Sequence, residues 1–152
     1  MTNTIGQPLL KTEDDKPNYV LDEQIGFVLR RAHQRHMTIF AERMDSLTPQ
    51  QFSTLYRLAM ARGPQSQNAL GRSVAMDAAT TKGVVNRLEA RGLIVTEKDE
   101  EDRRRYLLSA TDAGRALIAD CVPVMQAITE ETLGPLNASE RRTLLALLEK
   151  IS

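Results

Sequence analysis

The stretch Ala78 to Ala90, AATTKGVVNRLEA, carries residue types that handle nucleic acid, at the spacing of one helix. Ala79, Thr80, Lys82, Gly83, Asn86 and Arg87 supply a narrow ridge of small side chains, a hydroxyl, an amide and cations, and Thr81, between that ridge and the core face, joins the candidate DNA contacts. Amide and guanidinium forks match the donor and acceptor pattern of base edges in a major groove, while hydroxyls and ammonium groups reach phosphates. Val84, Val85 and Leu88, with Thr81 one turn earlier, recur at i, i+3, i+4 and i+7, so the other face of this helix seats on a core. Asp77 is placed to cap it and Gly92 to stop it. The alternative is a solvated polar face with no reading role.

Beyond Gly92 the period changes from that of a helix to that of a strand. Leu93, Ile94 and Val95 open a β-branched run, the charged stretch TEKDEED follows, and RRRYLLSA returns with Tyr106, Leu108 and Ala110 on one face. This pattern predicts a hairpin with a long charged tip. Arg103, Arg104 and Arg105 cluster where the tip turns back, beside Asp102, which is placed to hold one of them. A guanidinium carried on a ribbon enters a minor groove, whose negative potential deepens as the groove narrows. A charge run at a hairpin tip is otherwise an ordinary solvated turn.

Six helices and one ribbon are expected to carry these groups. Residues 1–18 are polar, contain Gly6, Pro8 and Pro17 and show no period, which reads as a mobile arm. From Tyr19 to Met44, Leu21, Ile25, Val28, Leu29, Ala32, Ile39 and Phe40 make one long apolar stripe. Thr48 with Gln51 forms a capping box with Pro49 at the first helical position; that helix buries Phe52, Leu55 and Ala59 until Gly63 and Pro64 stop it. Ser66 caps a short helix through Val74, and Ser66 and Gln67 at its head join the candidate DNA contacts. Ala75 and Met76 make the turn into the reading helix. Thr111 caps a long helix that runs to about Thr129, kinked by Pro123 and ended by Gly134 and Pro135. Asn137 with Glu140 makes another capping box before Leu144, Leu145, Leu147, Leu148 and Ile151. The helical regions Tyr19 to Met44 and Ser139 to Ile151 hold more apolar surface than a small reading head can cover, which predicts a homodimer. Two-fold symmetry then predicts a pseudo-palindromic operator with half-sites about one helical turn apart.

The length of 152 residues fits one domain with a fair core, and the absence of long apolar runs or a signal-like start leads to the expectation of a cytoplasmic protein that does not meet the membrane. Formal net charge is zero, with 20 basic and 20 acidic side chains, so affinity for a phosphate backbone requires that cations be segregated. Glu13, Asp14, Asp15, Asp22 and Glu23 supply part of the offset.

The single cysteine, Cys121, excludes an intrachain disulfide and a cysteine metal cluster. It leaves a thiol-based oxidation sensor as a second reading, although its sequence neighbours Asp120, Val122 and Pro123 include no cation to lower its pKa. His33 and His36 lie one turn apart, but a stable metal site needs three or four ligands and no third is near in sequence. No metal or other cofactor is expected. His36, at the edge of the apolar stripe, reads equally as a hydrogen-bonded core or interface histidine. No phosphate-binding glycine loop, nucleophile elbow or carboxylate constellation is present, so an enzyme is not expected.

The order helix, helix, ribbon, with LEARGLI before the ribbon and DRRRYLLSATDAGRAL closing it, resembles the winged helix-turn-helix of the MarR family of bacterial regulators, over roughly Asn18 to the C-terminus. The resemblance implies a mainly α fold with a small β-wing, N- and C-terminal dimerisation helices, and a wing-tip arginine that enters the minor groove. By position the family's wing motif falls on Asp102 and Arg104, with Arg103 between them. One departure is Ala110, where the family usually has a larger aliphatic residue. The implied division is 1–18 arm, 19–46 dimerisation helix, 47–115 winged helix-turn-helix and 116–152 dimerisation helices. YVLDEQIGFVLRRAHQRH is similar to the opening of members that sense small aromatic acids, among them regulators of nicotinate, benzoate or hydroxycinnamate breakdown. In those members the effector site lies near the first, second and fifth helices, which here would draw on Phe27, Arg31, His36, Phe40 and Tyr56. The partners implied are operator DNA, an aromatic carboxylic acid and a second copy of the chain. A winged-helix protein-interaction module that never touches DNA is the rival of a different class.

Overall fold

A computed structural model of the chain describes residues 18–152, so the expected N-terminal arm lies outside the described residues apart from Asn18. The chain divides between Arg35 and His36 into two packing units. In the first, a 3-10 turn at Leu21–Glu23 precedes α1 (Ile25–Arg43), which continues into the second unit. The single helix expected from Tyr19 is thus interrupted. Gln24 sits in extended backbone between the two pieces, and its side-chain amide donates to the Val20 carbonyl at 2.9 Å. Within this unit Arg30 and Arg31 stack on the Phe27 ring at 5.9 and 5.8 Å, and Arg31 also meets Asp22 at 3.4 Å. Ile25, Val28 and Leu29 remain exposed.

The second unit holds the rest. After α1 come α2 (Pro49–Met60), β1 (Gln65–Ser66), α3 (Gln67–Ser73), α4 (Ala78–Ala90), β2 (Ile94–Lys98), β3 (Tyr106–Ala110), α5 (Asp112–Thr132) and α6 (Ala138–Lys150). Each expected cap forms. Thr48 and Gln51 exchange both bonds of a capping box, as do Asn137 and Glu140, while Ser66, Asp77 and Thr111 accept from the backbone N–H three residues on. These side chains occupy donors that a helix start leaves unpaired. Helix α5 runs through Pro123 to Thr132, one turn beyond the expected end.

The sheet is antiparallel in the order β1-β3-β2. Hairpin β2–β3 pairs Ile94 with Ala110 and Lys98 with Tyr106, so the strand already covers part of the charged run expected to be loop. The third strand is an addition: Gln65 and Ser66 pair with Leu108 and Leu107, across some forty residues of sequence. Leu108 and Ala110 point inward as their alternation requires, and the small Ala110 is fully packed opposite Ile94; Tyr106, on the same face, is exposed because it lies out along the wing.

One core joins these elements, with Leu55, Leu58, Leu70, Leu88, Leu108, Ile118 and Ile128 at its centre. Truncating Leu55 or Leu88 to alanine would cost about 2–5 kcal/mol, the usual range for a leucine with no exposed surface. Helix α2 is the hub, packing against α3, α4, α5 and β3. Gly114, in the first turn of α5, lies so close to the Leu93 carbonyl that a Cβ there would overlap it, with Leu55 Cδ1 beside it. Glycine at this point lets α5 cross the root of the wing.

Candidate nucleic-acid interface and ligand cleft

Helices α3 and α4 meet through a four-residue turn, Val74 to Asp77. Met76 N–H donates to the Gly71 carbonyl at 3.0 Å, and Ala75 takes the left-handed conformation, φ 54°, to reverse the chain. A Cβ on Gly71 would meet Thr81 Oγ1 at 2.9 Å, so the glycine sets how closely α4 crosses α3. Thr81 is 0% exposed, and its hydroxyl donates to the Asp77 carbonyl at 2.7 Å. Thr81 is therefore a core residue at the helix crossing, which corrects its place among the candidate DNA contacts.

The ridge itself faces outward. Ala79, Lys82 and Asn86 lie at i, i+3 and i+7 on the exposed side of α4, with Arg87 beside them. Thr80 is half-buried, and its N–H and hydroxyl both donate to the Asp77 carboxylate, at 2.7 and 3.1 Å. These bonds favour the charged carboxylate: the Thr80 N–H above all, then its hydroxyl, with the Ala79 N–H adding to them, hold Asp77 below its ordinary pKa of 3.8.

At the wing tip Arg103, Arg104 and Arg105 are all exposed. Asp102 holds the turn and not a guanidinium: its carboxylate accepts the Arg104 N–H at 3.1 Å and its carbonyl accepts the Arg105 N–H at 2.9 Å. The carboxylate that faces an arginine is Asp99, whose Oδ2 lies 4.0 Å from Arg105 Nε. Ser66, Gln67 and Arg104 are brought together along one cleft between α3 and the wing, whereas Asn86 and Arg87 are not part of it.

A second concavity, about 430 Å³, opens between α2 and α5 and is lined by Phe52, Tyr56, Val122, Met125, Gln126, Thr129 and Glu130. Phe52 and Tyr56, one turn apart, stack with ring centroids 5.8 Å from each other. Glu130 pairs with Arg141 of α6 at 2.7 Å. Of the expected ligand set only Tyr56 lines this cleft. Phe40 is core, and its exposed edge belongs to a different hollow beneath the α1–α2 loop, with Met37, Met44 and Leu47. His36 is half-buried and bonds through Nδ1 to Thr132 Oγ1 at 2.9 Å. Phe27 and Arg31 belong to the first unit, where they stack on each other. The other wall of the cleft comes from α5, whose Val122, Met125, Gln126 and Thr129 repeat at i, i+3, i+4 and i+7 and so share one helix face.

Cys121 is 3% exposed, its sulfur 3.4 Å from the Ser46 hydroxyl, and that burial restricts an oxidant's access to the thiol in this arrangement. Among the described residues no group of three or more histidine, cysteine or acidic side chains converges as a metal site, and no helix is long and apolar enough to cross a membrane.

The MarR family model matches residues 45–105, from the loop before α2 to the wing tip. The chain is 41% identical to the transcriptional repressor NicR of Pseudomonas putida over 139 residues, 90% of this chain and 87% of NicR. Among solved structures, a probable transcriptional regulator from Pseudomonas aeruginosa superposes with a TM-score of 0.84 at 46% identity, over 88% of this chain and all of that one. BpsR of Bordetella bronchiseptica, whose DNA binding is regulated by 6-hydroxynicotinic acid, superposes with the same TM-score at 40% identity, over 88% of this chain and 96% of BpsR.

Proposed function

The chain belongs to the MarR family of winged-helix, DNA-binding transcription regulators, and from that premise we propose that it is a homodimeric repressor released from a pseudo-palindromic operator by a small aromatic carboxylic acid. The observation that carries the proposal is the position of α2. One side of it packs against the reading helix α4, and another forms a wall of the α2–α5 cleft. A ring seated against the Phe52–Tyr56 stack, with its carboxylate on the Gln126 amide and the Thr129 hydroxyl, would wedge α2 from α5 and re-aim α4. NicR is a repressor by name and BpsR answers to 6-hydroxynicotinic acid, which supports a hydroxylated pyridine or benzene carboxylate as the effector class. The exposed apolar residues Leu144, Leu145 and Leu147 of the C-terminal helix, with Ile151 just past its end, support a dimer. Asn86, Arg87, Ala79 and Thr80 would meet base edges and Lys82, Ser66 and Gln67 phosphates, with Arg103 and Arg104 of the wing at the minor groove or the phosphates that border it and Asp102 holding their turn.

Calorimetry with 6-hydroxynicotinic acid, in the presence and absence of a duplex selected by the protein from a random pool, tests this reading. The acid should lower duplex affinity by roughly 5- to 150-fold, the span of a coupling of about 1–3 kcal/mol, and the duplex should weaken the acid by the same factor. Tyr56→Ala and Gln126→Ala should abolish the heat of acid binding while leaving duplex affinity intact. Equal affinity for the acid with and without duplex would remove it as the switch.

A further inference from the structure

The cleft between α3 and the wing is built by the sheet. β1 leads directly into α3, and its Ser66 pairs with Leu107 of β3, next to Tyr106. That pairing sets Gln67, Asn68 and Arg72 opposite Arg104 and Arg105 across a polar hollow of about 430 Å³. Three guanidiniums line it and no carboxylate does. Arg105 has Asp99 at 4.0 Å, but neither Arg72 nor Arg104 has an ion-pair partner among the described residues. Like charges gathered without a counter-charge repel one another, and an anion placed between them removes that penalty. In a chain with zero formal net charge such a local excess is a segregated feature.

The hollow also lies where a nucleic-acid strand would have to pass. A smaller cleft of about 200 Å³ shares Gln67, Asn68 and Arg72 with it and continues to Ala78, at the first turn of α4. If α4 occupies a major groove and the wing the adjacent minor groove, the wall between those grooves is a sugar–phosphate backbone, and it runs between the two elements. We propose that this cleft seats one backbone phosphate of the bound duplex, gripped jointly by Arg72 of α3 and Arg104 of the wing. Arg72 thereby becomes a DNA contact in its own right, at a helix position outside the ridge of α4. The proposal rests on the DNA-binding reading above and deepens it.

The test is duplex binding across a series of salt concentrations by wild type, Arg72→Ala, Arg72→Lys, Arg104→Ala and the double alanine variant, on the selected duplex and on a random one. Melting curves confirm that each variant folds. Arg72→Ala should weaken both duplexes by the same factor, about tenfold, and lower the slope of log affinity against log salt by about one unit, because a phosphate contact positions without reading sequence. Arg72→Lys should keep the slope. The double variant should lose no more slope than either single one, since both arginines hold the same phosphate. A folded Arg72→Ala with wild-type slope overturns the proposal, and so does a double variant whose slope loss is the sum of the two. A parallel melting series with inorganic phosphate separates the sources of anion. Stabilisation of wild type but not of Arg72→Ala, with duplex slopes unchanged, would assign the seat to a free anion and reject the phosphodiester. Wild type that selects no duplex at all would instead overturn the DNA reading itself.

Discussion

Thr80 and Thr81 are adjacent and chemically identical, yet the structure divides them. One sits at the edge of the reading face with its hydroxyl on Asp77, and the other disappears between α3 and α4. The same division by surroundings applies to the exposed residues of α4. Asn86 is an exposed amide on the ridge and offers both a donor and an acceptor to a base edge, whereas Lys82 offers a point charge. Asn86→Ala should narrow the difference in affinity between selected and random duplex by about 1–3 kcal/mol, and Lys82→Ala should weaken both alike. Competition titrations read the two effects separately. If Asn86→Ala and Lys82→Ala both left the preference and the affinity untouched, α4 would not be the reader. At the wing, Asp102 illustrates how a residue can be well placed for a reason other than the expected one: it fixes the backbone that carries Arg104 and leaves that guanidinium unpaired.

At the scale of elements, the helix starts are local devices, and α4 depends on one of them. The Asp77 carboxylate accepts from the Thr80 N–H, and that bond is the first cause of its lowered pKa. A carboxyl lowered on folding adds stability that is present above its unfolded value, near 3.8, and is lost as pH falls through the lower folded value. Asp77→Ala should therefore melt below wild type at neutral pH, and the gap should close as the solution is acidified below about pH 4. Asp77→Asn keeps a capping oxygen without the charge and should flatten the pH dependence while retaining part of the cap. A gap between wild type and Asp77→Ala that stayed constant down to pH 2 would show that the charged cap does not contribute. Strand β1 is the contrasting element. Two residues long, it exists only because β3 is beside it.

For the whole molecule, the question is what covers the C-terminal helix. None of α6 is buried, and Leu145, Leu147 and Ile151 are 57%, 55% and 65% exposed, with Leu136, Leu144 and Leu147 lining a shallow groove beside them. A face of this composition facing water is unfavourable at about 25 cal/mol per Å² of apolar surface, and a second copy of the chain would remove it. The double substitution Leu147→Glu with Ile151→Glu touches nothing buried in the described fold, so the helical content should be retained. Sedimentation should show the mass halved, and affinity for the selected duplex should fall roughly 10²-fold or more as the second reading head is lost. A variant that sedimented as wild type would place the self-association surface elsewhere.

What the amino-acid order determined by itself was whatever is settled within a few residues: the five capped helix starts, the stop at Gly92, the alternation of Leu108 and Ala110, and the ridge of Ala79, Lys82 and Asn86. Each of these depends on a hydrogen bond or a period contained within about two turns of one helix or one pleat of one strand, and such signals survive without knowledge of neighbours. The wing was legible for the same reason, since its two strands are consecutive in the chain and joined by one short charged loop. The tertiary structure alone decided the rest. It paired Gln65 and Ser66 with β3, sent Thr81 inward against Gly71, and drew Phe52 and Tyr56 of α2 against Gln126 and Thr129 of α5. Those contacts join residues from different elements, and their partners are fixed by how α2, α5 and the sheet pack around one core, a choice that no local pattern encodes.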